Sequence, residues 1–183
     1  MNRSPLRAFL LIPLLLACFA LSPQARAVCQ DACLTNFNTV QGDDALFSLD
    51  TTKGFDNTAM GFNALFNNTT GFANTAIGAN ALLSNTTGFE NTAIGLAALF
   101  SNTDGFNNTA IGDSALFSNT TGRNNIALGD SAGINLTTGK NNIDIGNAGF
   151  AGEGNKIRIG TTGTQTKTFI AGISGATVAS GVG

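Results

Sequence analysis

The chain of 183 residues contains no histidine, no tryptophan and no tyrosine, and all 14 of its aromatic residues are phenylalanine. Without histidine it cannot form a Ser-His-Asp triad, and it lacks the commonest nitrogen ligand for zinc. Charged residues make up only 11% of the chain, and the formal net charge of −2 leaves no basic surface for nucleic acid. We therefore expect no catalytic residue, no metal site, no cofactor and no nucleic-acid partner.

Residues 1–27 have the pattern of a secretory signal. Two arginines precede an apolar run over residues 8–21, and Ala25-Arg26-Ala27 stands before Val28. This pattern predicts cleavage between Ala27 and Val28 and an exported protein, located at the cell surface or outside the cell. The run is shorter than the roughly 20 apolar residues of a membrane span, so no transmembrane anchor is expected in this chain. A lipoprotein signal ending at Cys18 is the alternative.

Two cysteines follow the predicted cleavage site, Cys29 and Cys33. An even number of cysteines in an exported chain indicates one disulfide, and two free thiols are the alternative. The remaining charges are unevenly placed, since residues 28–122 contain one base and eight acids whereas residues 123–183 contain five bases and three acids. We interpret residues 28–50 as an N-terminal cap that holds the disulfide and a degenerate first repeat.

Most of the remaining chain is a repeat of one fixed period. The glycine of Thr-Thr-Gly recurs at even spacing at Gly54, Gly71, Gly88, Gly105, Gly122 and Gly139, and the glycine of Asn-Thr-Ala-Ile-Gly recurs at the same spacing at Gly61, Gly78, Gly95, Gly112, Gly129 and Gly146. A fixed short period is typical of a solenoid. The sequence thus predicts an all-β fold, a parallel β-roll or β-solenoid over residues 51–160, followed by a Gly-rich tail over residues 161–183.

Each repeat contains one segment with strand alternation. Ile143-Asp144-Ile145 and Ile157-Arg158-Ile159 alternate with period two, as a half-buried strand does. Because a charge is costly to bury without a partner, we predict that Asp144 and Arg158 face solvent and the isoleucines face the core. Carried back by register, this interpretation places the strand threonines inward and the strand alanines outward. The predicted inward core is Ile77, Ile94, Ile111, Leu128, Ile143, Ile145, Ile157 and Ile159.

The second part of each repeat, such as Ala64-Leu65-Phe66, is apolar at both parities and predicts a strand buried on both faces. Turns every eight or nine residues leave no room for a helix of ordinary length. Stacked in register about 4.8 Å apart, equivalent residues form rows. We predict a row of stacked phenylalanines that ends at Arg123, and a ladder of asparagine amides formed by Asn57, Asn74, Asn91, Asn108, Asn125 and Asn142. The thin core of such a coil favours association of several chains.

The unit Asn91-Thr92-Ala93-Ile94-Gly95, followed by Ala98, resembles the head repeat of trimeric autotransporter adhesins, the YadA-like head. Residues 125–129 and 142–146 match the family core at its asparagine, inner apolar and glycine positions. The resemblance covers about residues 38–160 and implies a left-handed β-roll of three chains around one axis. It also implies a homotrimer with a structural or adhesive role at a host or matrix surface, with no ligand specified. Residues 163–173 resemble the segment that follows such repeats in bacterial tail-fibre-domain proteins.

Two other patterns suggest different functions. Residues 129–133, Gly-Asp-Ser-Ala-Gly, fit the G-x-S-x-G nucleophile pattern, but the chain has no histidine to activate Ser131. Paired threonines such as Thr86-Thr87 recur with the repeat and would stack in rows. An ice-binding or other surface-binding monomeric β-solenoid is therefore the alternative function.

Overall fold

The computed structural model describes residues 32–34, 36–50 and 52–165. The predicted signal, the Ala27–Val28 cleavage site, the Cys29–Cys33 disulfide and the tail beyond residue 165 lie outside the described residues. The described part forms one nine-stranded sheet in which the strands follow each other in chain order. The strands are β1 Ala32–Leu34, β2 Asn38–Gln41, β3 Thr58–Met60, β4 Thr75–Ile77, β5 Thr92–Ile94, β6 Thr109–Ile111, β7 Ile126–Leu128, β8 Ile143–Ile145 and β9 Ile157–Ile159.

From β2 to β9, each strand pairs in parallel and in register with the next strand along the chain. Thr75 lies opposite Thr92 and Ala76 opposite Ala93, so each strand pairs with its equivalent in the next repeat. The first step is longer, with Val40 opposite Ala59, and the last is shorter, with Ile143 opposite Ile157. The predicted all-β parallel solenoid is confirmed. β1 alone runs antiparallel, beside β2, at the N-terminal edge of the sheet.

The predicted orientation of the strand residues is wrong. Ala59, Ala76, Ala93 and Ala110 are completely buried, while the residues on either side of each alanine lie on the outer face. Asp144, predicted to face solvent, is also completely buried, and Arg158 is half-buried. The residues predicted inward that lie on the outer face instead are Ile77, Ile94, Ile111, Leu128, Ile143, Ile145, Ile157 and Ile159.

The physical reason lies in the second part of each coil. Leu65, Leu82, Leu99 and Leu116 are completely buried and fill the interior of the coil. So short a coil is too narrow to hold a column of leucines and a column of isoleucines together, because close-packed interiors tolerate little extra volume. The strand therefore presents only the alanine methyl group to the core.

The Ala-Leu-Phe segments are turns and not the predicted strands. In the repeat at residues 97–100, Ala97 and Leu99 have φ of 53°. A left-handed backbone at Leu99 breaks the strand alternation, so that Ala98 and Leu99 both point inward while Phe100 is half-buried. This conformation costs roughly 1–2 kcal/mol for a residue with a Cβ. Burial of a leucine side chain contributes a comparable amount, about 1.5–3 kcal/mol.

One glycine shows why the corner after the strand carries no side chain. Gly95 has φ of 137°, and a Cβ built on it would lie 2.3 Å from the carbonyl oxygen of Gly112 in the next coil. Both the backbone conformation and the closeness of the neighbouring coil therefore require glycine. The equivalent glycines let the coils stack at the spacing of a parallel sheet.

We predict that Ala93→Leu destabilises the protein by about 1–3 kcal/mol, because the larger side chain must enter a filled core. The matched control is Thr92→Leu, which places the same side chain on the outer face and should cause little or no loss. Urea unfolding monitored by circular dichroism measures both changes. A larger loss for Thr92→Leu than for Ala93→Leu would contradict the orientation described here.

Candidate interaction surface

A ladder of buried asparagines sets the register of the sheet. The Asn91 side chain donates from Nδ2 to Asn74 Oδ1 at 3.1 Å and to the Gly105 carbonyl at 2.8 Å. Its Oδ1 accepts from the backbone N and from Nδ2 of Asn108, both at 3.1 Å. Each amide thus uses two donors and two acceptor positions, which is its full capacity. The predicted ladder is confirmed over Asn57, Asn74, Asn91, Asn108, Asn125 and Asn142, and Asn38 extends it by one coil.

A second asparagine ladder was not predicted from the sequence. Asn85 Nδ2 donates to Asn68 Oδ1 at 2.7 Å and to the Gly88 carbonyl at 2.9 Å, and the same bonds recur at Asn102 and Asn119. All four side chains are completely buried. Leu136 occupies the next rung, and Asn119 Oδ1 is left without a hydrogen bond. The even spacing of these asparagines is enough to predict a second ladder, but asparagine beside Thr-Thr-Gly is also typical of an exposed polar turn.

We predict that Asn91→Ala lowers the free energy of unfolding by at least about 2–3 kcal/mol. The substitution leaves the backbone N–H of Asn108 and one N–H of its side-chain amide without an acceptor inside the core, and each unpaired buried group costs about 1–3 kcal/mol. Asn74 Oδ1 and the Gly105 carbonyl each keep one donor, the Asn91 backbone N and Asn102 Nδ2. The control is Asn67→Ala, at a half-buried position outside both ladders. Equal stability of the two variants in urea titrations would show that the ladder is not a major source of stability.

Phenylalanines form stacked rows along the outside of the coils. The rings of Phe72, Phe89 and Phe106 lie 4.9 and 4.8 Å apart and nearly parallel, and Arg123 lies 5.7 Å from the Phe106 ring centroid. This confirms the predicted row and its end at Arg123. A second row includes Phe100 and Phe117, with centroids 4.9 Å apart. These rings are half-buried, so they cover the core and leave only ring edges to solvent.

The outer face of the sheet is a regular surface rich in apolar residues, which we call the isoleucine face. It consists of Thr58, Met60, Thr75, Ile77, Thr92, Ile94, Thr109, Ile111, Ile126, Leu128, Ile143, Ile145, Ile157 and Ile159. Met60, Ile77 and Ile94 are each 36% exposed, and Ile159 is 64% exposed. At the spacing of a parallel sheet these seven strands form a strip about 30 Å long. Its apolar column has no polar interruption from β3 to β9.

A cluster of charged residues around the buried Asp144 lies where the repeat shortens. Asp144 occupies the position of the inward alanines, and neither of its carboxylate oxygens has a hydrogen bond. Its register partner Arg158 instead forms a two-pronged ion pair with Glu153, with Nη2 to Oε2 at 2.5 Å, and stacks on Phe150 at 5.0 Å. Burial raises the pKa of the Asp144 carboxyl above its ordinary value, Arg158 opposes this shift, and Glu153 adds to it.

The direction of this pKa shift predicts how stability depends on pH. A carboxyl with a raised pKa keeps its proton to higher pH in the folded chain than in the unfolded chain. The contribution of Asp144 to the free energy of unfolding is therefore fully present below its ordinary pKa of 3.8 and is lost as pH rises through the folded-state pKa. Asp144→Asn should remove this decline and stabilise the protein at neutral pH, with no gain at low pH. Unfolding measured from pH 3 to 8 tests this, with the exposed Asp130→Asn as control. A gain that does not vary with pH would contradict the assignment.

The other singled-out residues lie in turns. Ser131 has φ of 54°, as Ser114 does in the preceding coil, and its hydroxyl donates to Asp130 Oδ2 at 3.4 Å. The first threonine of a Thr-Thr pair bonds to the next coil, for example Thr69 Oγ1 to the Thr86 carbonyl at 3.0 Å. Across the described residues, no three acidic or cysteine side chains are grouped as a metal site. No helix long and apolar enough to cross a membrane occurs within the described ranges.

Comparison of the chain with protein-family models, with curated proteins and with solved structures gave no match. The geometry of the ladders, the rows and the isoleucine face is therefore the basis for a functional assignment.

Proposed function

We propose that this chain is an exported, non-enzymatic structural or adhesive protein that acts as a rigid homotrimeric surface or fibre element. The observation that carries the proposal is the isoleucine face. An apolar strip about 30 Å long on a small protein is typical of an interaction site and not of a solvated surface. Association of copies would bury it.

The regular spacing of the face favours another copy of the same chain as its partner. Side chains recur with every strand of the sheet, at about 4.8 Å. A second copy carries the same repeat, so its side chains can interdigitate along the whole strip. A partner without that repeat could match only one or two rungs. Homo-oligomers close most simply with cyclic symmetry.

The number three comes from the resemblance of Asn91-Thr92-Ala93-Ile94-Gly95 to the head repeat of trimeric adhesins. A long β-column braced by internal amide ladders is stiff, which suits a fibre or a surface projection. Export rests on the signal pattern that ends at Ala27. The surface that such an adhesin would contact is not specified by these features.

We predict that residues 28–183 form a trimer and that the double variant Ile94→Asp/Ile111→Asp dissociates it. The added carboxylates would be buried between chains without partners, which costs several kcal/mol. Because both side chains face outward, β-sheet circular dichroism should be retained. Light scattering measures the mass, with Thr121→Asp as the control at an exposed turn. A monomeric mass for the unmodified protein would refute the proposal.

A second candidate function has one observation in its favour. Thr58, Thr75, Thr92 and Thr109 form a row on the outer face of the sheet, whereas the sequence predicted them inside it. Flat rows of threonine on β-solenoids are the surface that ice-binding proteins use. A monomeric mass by light scattering, together with thermal hysteresis in a separate freezing measurement, would favour this function over the first.

A further inference from the structure

We propose that the cleft around Arg123 and Lys140 is a binding site for an oxyanion, such as the sulfate or carboxylate group of an acidic polysaccharide. The cleft has a volume of about 390 Å³ and is lined by Arg123, Thr138, Lys140, Glu153 and Asn155 together with three glycines. None of its lining residues belongs to the isoleucine face. The site is therefore independent of the proposed trimer.

Two like charges occupy adjacent rungs at this cleft. Arg123 and Lys140 form a parallel bridge, so their backbones are held at the spacing of neighbouring strands, about 4.8 Å. Both residues are exposed. The two ion pairs found within the described residues, Lys53–Asp50 and Arg158–Glu153, include neither of them. Like charges directly opposite each other destabilise a sheet unless a counter-charge lies between them.

The one acidic group of the cleft is already engaged. Both carboxylate oxygens of Glu153 accept hydrogen bonds from Arg158, and the Glu153 side chain is only 13% exposed. The pair of Glu153 and Arg158 is neutral as a unit. The charge left facing the cleft is therefore that of Arg123 and Lys140, close to two positive charges.

A neighbouring ring orients Arg123, and nearby side-chain amides add donors. The Phe106 ring holds the Arg123 guanidinium at 5.7 Å, an attraction that favours one direction for that side chain. Asn124 donates to Asn141 Oδ1 and Asn141 donates to Asn155 Oδ1, at 3.2 and 2.9 Å. Because these bonds run in one direction, the row ends on the amide NH₂ of Asn155 at the cleft. Guanidinium, ammonium and amide donors together suit an oxyanion with several acceptor oxygens.

Position in the repeat supports the same conclusion. In the earlier coils the place of Arg123 and Lys140 is taken by Phe72, Phe89 and Phe106. This row of equivalent positions is uncharged in the earlier coils, and its next two positions, at the cleft, are both cations. The part of the chain from residue 123 onward is also the one in which bases exceed acids.

The test is titration of residues 28–183 with sodium sulfate, with sodium chloride at matched ionic strength as the reference, followed by amide NMR shifts. We expect saturable shifts around Arg123, Lys140 and Gly154. Arg123→Gln and Lys140→Gln should each weaken binding about tenfold or more, since a charge-assisted hydrogen bond contributes roughly 1.5–3 kcal/mol. Lys53→Gln, an exposed lysine near the other end, should leave binding unchanged.

Dextran sulfate, polygalacturonate and neutral dextran distinguish the source of the anion. Binding of either charged polymer but not of dextran, with loss in both cleft variants, supports the site as one for acidic polysaccharide. A response to inorganic sulfate alone supports a site for the free ion. Equal binding by the cleft variants and the unmodified protein, or no response beyond that to chloride, would overturn the proposal whether or not the protein is a trimer.

Discussion

The asparagine amide that bonds from one coil to the next is the interaction on which the rest of the structure depends. Each ladder amide joins the side chain of the preceding coil to the backbone of the following one, through Asn74, Asn91, Asn108 and their equivalents. These groups are buried, so a slip in register would leave them unpaired in the core. The ladder therefore selects one alignment of coils. That alignment also places alanine over alanine and phenylalanine over phenylalanine.

The fold could be predicted because its main signal is periodic, and a period can be recognised in the sequence without any knowledge of packing. The constant spacing determined which residues lie above one another, including Asn91 over Asn74 and Phe89 over Phe72. The direction in which each strand residue points could not be predicted this way. It depends on how much space the buried Leu99 leaves, and on a left-handed backbone at Leu99 that no pattern rule anticipates. The outward isoleucines are a consequence of that backbone.

Asp144 shows the same limit of pattern reasoning for a charge. The rule that a charge avoids the core assumes that the carboxyl stays ionised, whereas burial raises its pKa and makes the neutral form more accessible. The oxyanion cleft was likewise hidden, because Arg123 and Lys140 become neighbours only once the coils are stacked. Both features lie in the last coils, where the repeat shortens between β8 and β9 and the phenylalanine row has ended. The regular coils form the scaffold, and these charged groups lie in the last coils, where the sequence departs from the regular repeat.

Since every inner coil contacts only the coil before it and the coil after it, the contacts of one coil do not depend on how many others exist. Duplication or loss of a single unit would alter the length of the rod by about 4.8 Å and leave the remaining hydrogen bonds as they are. Unequal recombination between near-identical repeats would therefore lengthen or shorten the rod in fixed steps. The distance between the two ends of the rod is then set by the number of repeats.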